Sequence, residues 1–188
     1  MRDVRFRLAA LILLGTLGAG ALAADPEHGF VVRHADSRLE LGVVLLDATI
    51  DFQFSEQAVE AMRNGVPLTV SVEMQVLRER PGPDKSVALI RARYRIKTHA
   101  LSNQYVITNL GSGEARTYGS FDEMRAALGH IESFPLLDEA LLTPGESYRA
   151  RVRAKLDIEA LPAPLRPVAY LSPSWRLKSD WYDWEVDL

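Results

Sequence analysis

Residues 86–110, SVALIRARYRIKTHALSNQYVITNL, decide the fold. Ala88, Ile90, Ala92, Tyr94 and Ile96 alternate with Arg91, Arg93, Arg95 and Lys97, the period of two expected of a strand with one face in a core and one in water. Ala100-Leu101-Ser102-Asn103 supplies a short turn, and a second strand runs on to Leu110. A second run, Ser147 to Ile158, repeats the pattern. Tyr148, Ala150, Val152, Ala154, Leu156 and Ile158 point inward, and Arg149, Arg151, Arg153 and Lys155 outward. Six of these eight outward cations are arginine, whose planar fork suits bidentate contact with carboxylate or phosphate.

Working outward from this stretch, Pro81-Gly82-Pro83-Asp84 is a turn that joins it to a preceding strand in an antiparallel hairpin. That strand has Leu68, Val70, Val72, Met74 and Val76 inward and Thr69, Ser71, Glu73 and Gln75 outward. Upstream, Val43 to Phe54 alternates likewise, with Asp47, Thr49, Asp51 and Gln53 on its polar face. Phe30 to Leu41 is a first strand, interrupted at Ala35-Asp36-Ser37 by a turn or bulge. Ser55 caps a short helix through Arg63, which exits at Asn64-Gly65. Downstream, Gly111-Ser112-Gly113 leads to a brief strand at Ala115 to Tyr118. Ser120 and Glu123 form a capping box for a helix to about Ile131, stopped by Pro135, with one more helical turn at Leu136 to Leu142. Pro162, Pro164 and Pro167 exclude a regular helix interior or central strand across Ala160 to Tyr170, which is expected to wrap the surface. A final strand falls within Trp175 to Leu188. The sum is a mainly β, antiparallel, sandwich-like domain of about eight strands with two short helices; a single curved sheet covered by the helices is the alternative.

At the N-terminus, Arg2, Arg5 and Arg7 precede the apolar run Leu8 to Leu17, and Ala21-Leu22-Ala23 is the small-residue pattern of a signal peptidase site. Residues 1–23 therefore read as a signal peptide, with an uncleaved inner-membrane anchor as the alternative, and 24–188 as one domain exported to the bacterial periplasm. Loss of Arg2, Asp3, Arg5 and Arg7 leaves 19 basic and 24 acidic residues. An acidic domain of this kind is not expected to bind nucleic acid. The chain has no cysteine, which excludes disulfides, thiol catalysis and a lipoprotein anchor.

Two readings compete for the basic stripes. Arg91, Arg93, Arg95, Arg149, Arg151 and Arg153 either bind an anionic envelope lipid, glycan or acidic protein, or form a cross-strand ion ladder with Glu73, Asp47 and Asp51. Trp175, Trp181 and Trp184 fall within ten residues. They close the core, or Trp181 offers a contact platform, since Trp181 and Trp184 fall on opposite faces of a strand. Asp180, Asp183, Glu185 and Asp187 lack the glycine turn and terminal glutamate of a calcium loop. His28, His34, His99 and His130 are too scattered to suggest a metal site. No nucleophile elbow, zinc helix, Ser-x-x-Lys pair or phosphate loop is present, and Asp47 and Asp51 on one strand face lie roughly 13 Å apart, too far for a glycosidase pair. No catalytic residue and no cofactor is expected.

Several segments together resemble one family: Leu46-Asp47-Ala48, Asn64-Gly65-Val66-Pro67-Leu68, Arg93-Tyr94-Arg95, His99-Ala100-Leu101-Ser102, Leu156-Asp157-Ile158-Glu159-Ala160-Leu161-Pro162, Pro164-Leu165-Arg166-Pro167, Tyr170-Leu171-Ser172 and Trp175. The chain is similar to exported bacterial proteins catalogued as domain of unknown function 4390. The resemblance implies no activity, cofactor or catalytic residue. Members are often encoded beside a membrane sensor kinase, which implies an accessory role in envelope signalling and a sensor kinase or other envelope protein as partner.

Overall fold

A computed structural model describes residues 29–99, 102 and 104–186. The expected signal peptide, Ala100, Leu101 and Asn103 of the expected turn, and Asp187 lie outside the described residues. In chain order the elements are β1 (Gly29–Glu40), β2 (Val43–Gln53), α1 (Glu56–Arg63), β3 (Leu68–Arg78), β4 (Lys85–His99), β5 (Gln104–Asn109), β6 (Ala115–Tyr118), α2 (Phe121–Gly129), β7 (His130–Asp138), β8 (Tyr148–Leu156), α3 (Arg166–Leu171) and β9 (Tyr182–Glu185). The strands form two antiparallel sheets, ordered β1-β2-β7 and β6-β5-β4-β3-β8-β9. The fold is thus mostly β, with nine strands and three helices among the described residues.

The alternation read in the sequence places the core. Val44, Leu46, Ile50 and Phe52 of β2 face Val70, Val72 and Met74 of β3 and Ala150, Val152 and Ala154 of β8 in one apolar cluster. β1 packs against β8 and β9 along one side, where the Trp184 indole donates to Ser37 Oγ at 2.9 Å. On the other side β7 diverges from β4, β5 and β6. The cleft left there, about 300 Å³, is lined by Tyr94, Ile107, Tyr118, Leu128, Ile131 and Phe134. Burial pushes the Tyr94 phenol up from its ordinary pKa.

Four expectations need correction. The second helix stops at Gly129, and His130–Asp138 is a ninth strand, β7, rather than helix end and helical turn; only Glu139–Leu141 turns, as a single 3-10 helix capped by Asp138. Pro135 sits within this strand, because β7 is an edge and Pro135 faces Leu45 where the register breaks, so no ladder hydrogen bond needs its missing N–H. β1 is continuous through Ala35-Asp36-Ser37, and its bulge falls between Val32 and His34. Ala35 is small enough to pack inward, and Ser37 is paired to Trp184, so neither residue breaks the strand. Asp47 and Asp51 lie in the three-stranded sheet and serve neither basic strand: Asp47 accepts from Arg38 and from Ser133 N, and Asp51 from Arg33 and Arg125. The hydrogen bonds from Gln53 and Arg33 draw the Asp51 carboxyl below its ordinary pKa.

β3 departs from expectation in a way that matters for the site. Its polar face is not wet: Thr69, Ser71 and Glu73 are buried, because β3 is central and long side chains from β4 and β8 lie over it. The proline-rich wrap behaves as its chemistry demands. It consists of 3-10 turns at Ile158–Ala160 and Ala163–Leu165, then the six-residue α3 with Pro167 in its first turn, where no amide hydrogen is needed.

Candidate binding face

The hairpin turn at residues 81–84 fixes the β3–β4 register, and the antiparallel β3–β8 pairing adds the second stripe. Glu73 faces Arg91 on one side and Arg153 on the other, Ser71 faces Arg93 and Lys155, and Thr69 faces Arg95. Both basic stripes therefore share the outward face of the six-stranded sheet, one on each flank of β3.

At its centre the Glu73 carboxylate, 3 % exposed, takes three cations. Arg91 Nε donates to Oε1 at 3.0 Å, Arg153 Nε to Oε2 at 2.7 Å, and Lys155 Nζ lies 2.8 Å from Oε1. Burial alone pushes this carboxyl up, but hydrogen bonds and charge from Lys155 and Arg153 outweigh burial and bring the pKa down to about 2. Further out, Arg93 donates to Asp157 at 2.9 Å and Arg151 Nε to Gln75 at 2.8 Å, while Arg149 pairs with Asp84. Arg95 and Lys97 are exposed and have no carboxylate partner among the described residues. The ladder is real around Glu73, and the stripes still outnumber the carboxylates that meet them.

Trp181 and Trp184 take opposite faces, as their spacing implies. Trp184 and Tyr182 pair with Ala150 and Val152 on the inner face. Trp181 lies outward, with the Arg153 and Arg151 guanidinium carbons 4.3 and 4.5 Å from its ring centroid. The indole thus braces the β8 arginines. Two cation–π contacts between partly exposed groups contribute about 0.5–1 kcal/mol each. Trp181→Ala is expected to lower stability by about 1–2 kcal/mol in urea unfolding, and an unchanged midpoint would contradict the bracing role.

The fold also aligns two histidines that sequence spacing could not connect. His34 on β1 and His130 on β7 both face Thr49 of β2, each near a carboxylate two residues on: Asp36 at 3.3 Å and Glu132 at 3.7 Å. Among the described residues no three His, Asp or Glu side chains stand close enough to hold a metal ion.

Residues 27–185 match the family described as Domain of unknown function (DUF4390). The chain belongs to this family. The DUF4390 match spans every strand, both basic stripes and Trp181. No curated protein and no solved structure matches the chain. Among the described residues no helix is long and apolar enough to cross a membrane.

Proposed function

We propose that this DUF4390 domain is a non-enzymatic binding module of the bacterial periplasm that holds an acidic protein surface, the external part of a membrane sensor kinase, on the outward face of β4, β3 and β8. The observation that carries the proposal is the permanence of charge on that face. Arginine stays protonated at any physiological pH, and Glu73, with its pKa near 2, stays ionised, so these groups attract and orient but do not transfer protons. The face is a broad sheet surface rather than a cleft, which suits a protein better than a small ligand. Carboxylates that fix the inner guanidiniums leave their outer edges turned to solvent: Arg91 is 57 % exposed and Arg93 42 %.

The test is pull-down of the tagged domain from crosslinked envelopes. A membrane protein is recovered, and recovery falls about tenfold or more in an Arg95→Glu, Lys97→Glu variant or when salt is raised before crosslinking. Both positions are exposed, so the variant keeps the fold. Recovery of no membrane protein, or equal recovery by the variant, overturns the proposal.

A further inference from the structure

The wrap between β8 and β9 buries Leu161, Trp175 and Leu177 but turns the larger apolar side chains of α3 outward. In α3 it is Ala169 that faces the body, fully buried, while Val168 and Leu171, three residues apart on one helix face, are 59 % and 81 % exposed, and Tyr170 is 47 % exposed. Pro162, Pro164, Pro167 and Pro173 are exposed around them. Proline has no amide hydrogen, so this projection offers few backbone donors that would need water. From Ile158 to Ser179 the chain carries Arg166, Arg176 and Lys178 against the single anion Glu159. None of the three cations is paired with a carboxylate among the described residues. Arg166 donates instead to the Leu161 carbonyl at 2.9 Å and Arg176 to the Tyr170 carbonyl at 3.0 Å, which ties the charges to the base of the apolar tip.

We infer that this tip rests on an anionic lipid bilayer, with Val168, Tyr170 and Leu171 in the headgroup boundary and Arg166, Arg176 and Lys178 against lipid phosphates. A few exposed side chains on a helix of six residues fall short of the roughly 800 Å² per partner that a stable protein interface buries. Shallow insertion flanked by cations is the pattern of an interfacial membrane contact. The opposite end of the molecule sets the orientation. There Leu41, 97 % exposed in the β1–β2 turn, lies among Glu40, Asp138 and Glu139, whose charges an anionic bilayer repels. The contact requires no second protein, and its apolar tip lies apart from the basic stripes, which only Lys178 adjoins through its pairing with Lys155.

The absence of cysteine makes the test clean. Leu171→Cys and, separately, Leu41→Cys are introduced into the protein processed by an exporting host and labelled with an environment-sensitive dye. Vesicles of phosphatidylcholine, with or without about 30 mol% phosphatidylglycerol, are then added. The dye at 171 shifts to the blue with the anionic vesicles only, the dye at 41 does not, and Arg176→Glu lowers vesicle partition about tenfold or more. No shift at 171, an equal shift at 41, or a shift at 171 only when an acidic protein replaces the vesicles overturns the inference, the last result marking a protein dock instead.

Discussion

Glu73→Ala is expected to destabilise the fold by about 2–3 kcal/mol, below the cost of stranding a fully buried charge because the three cations it would leave are partly exposed. Alanine would leave Arg91, Arg153 and Lys155 converging on one spot with no anion between them, and although each is partly exposed to water, their stems already roof β3 and keep the three charges close. Glu73→Gln should cost less, since the amide oxygen still accepts one hydrogen bond. Removing a single cation, as in Arg91→Met, should cost less again, because two remain. Urea midpoints at neutral pH check the order. Equal stability of the alanine variant and the parent would show that the cluster contributes nothing and that its cations are free to turn outward.

The same carboxylate makes a definite pH prediction. Its pKa is about 2 in the fold against an ordinary 4.5, so the folded state holds the charged form more tightly than the unfolded chain does. The stabilisation is fully present above pH 4.5 and is lost as pH falls toward 2, up to about 3 kcal/mol in all. Glu73→Gln should flatten the acid limb of stability against pH within that window. An acid limb of the same slope in parent and variant would show that other carboxylates, Asp51 among them, account for acid unfolding.

How far the sequence disclosed this arrangement depends on how local each feature is. The β4 and β8 alternation was readable because each strand has one wet face and one dry one, and the residues 81–84 turn made β3 the partner of β4. The burial of Glu73 was not readable. Its strand alternates like any half-exposed strand, and only the placement of long basic side chains on both neighbours covers it. Asp157 lies 64 residues from Arg93, and His34 and His130 are united only by the register of Thr49, so those neighbours follow from topology rather than spacing. β7 was misread for a different reason. Leu128 and Ile131 continue the spacing of α2, and Pro135 ordinarily ends an element; the strand forms because β2 has an open edge to pair, and a register break accommodates the proline.

Gly129 is the point where α2 comes closest to β2. Gly129→Ala is expected to lower stability by about 2–3 kcal/mol, against the roughly 1 kcal/mol that helix propensity alone would add. A β-carbon at 129 would stand 2.1 Å from the Ile50 carbonyl oxygen and 3.8 Å from the Phe52 ring. Ile50 is paired with Val32 of β1, and the β7 pairing ends one residue away at Thr49 and His130, so the oxygen has little room to yield and α2 must lift from the sheet. Lifting α2 would draw Arg125 away from Asp51, now 3.3 Å apart, and widen the cleft that Leu128 lines. Urea unfolding of the variant, read beside the fluorescence of the buried Trp175, separates the two forces. If alanine stabilises the domain, helix propensity has won and the close approach at Ile50 is not maintained in solution. If it destabilises as expected, the junction between α2 and β7 is a packing constraint that only glycine meets, and it is this constraint that ends the helix before Ile131.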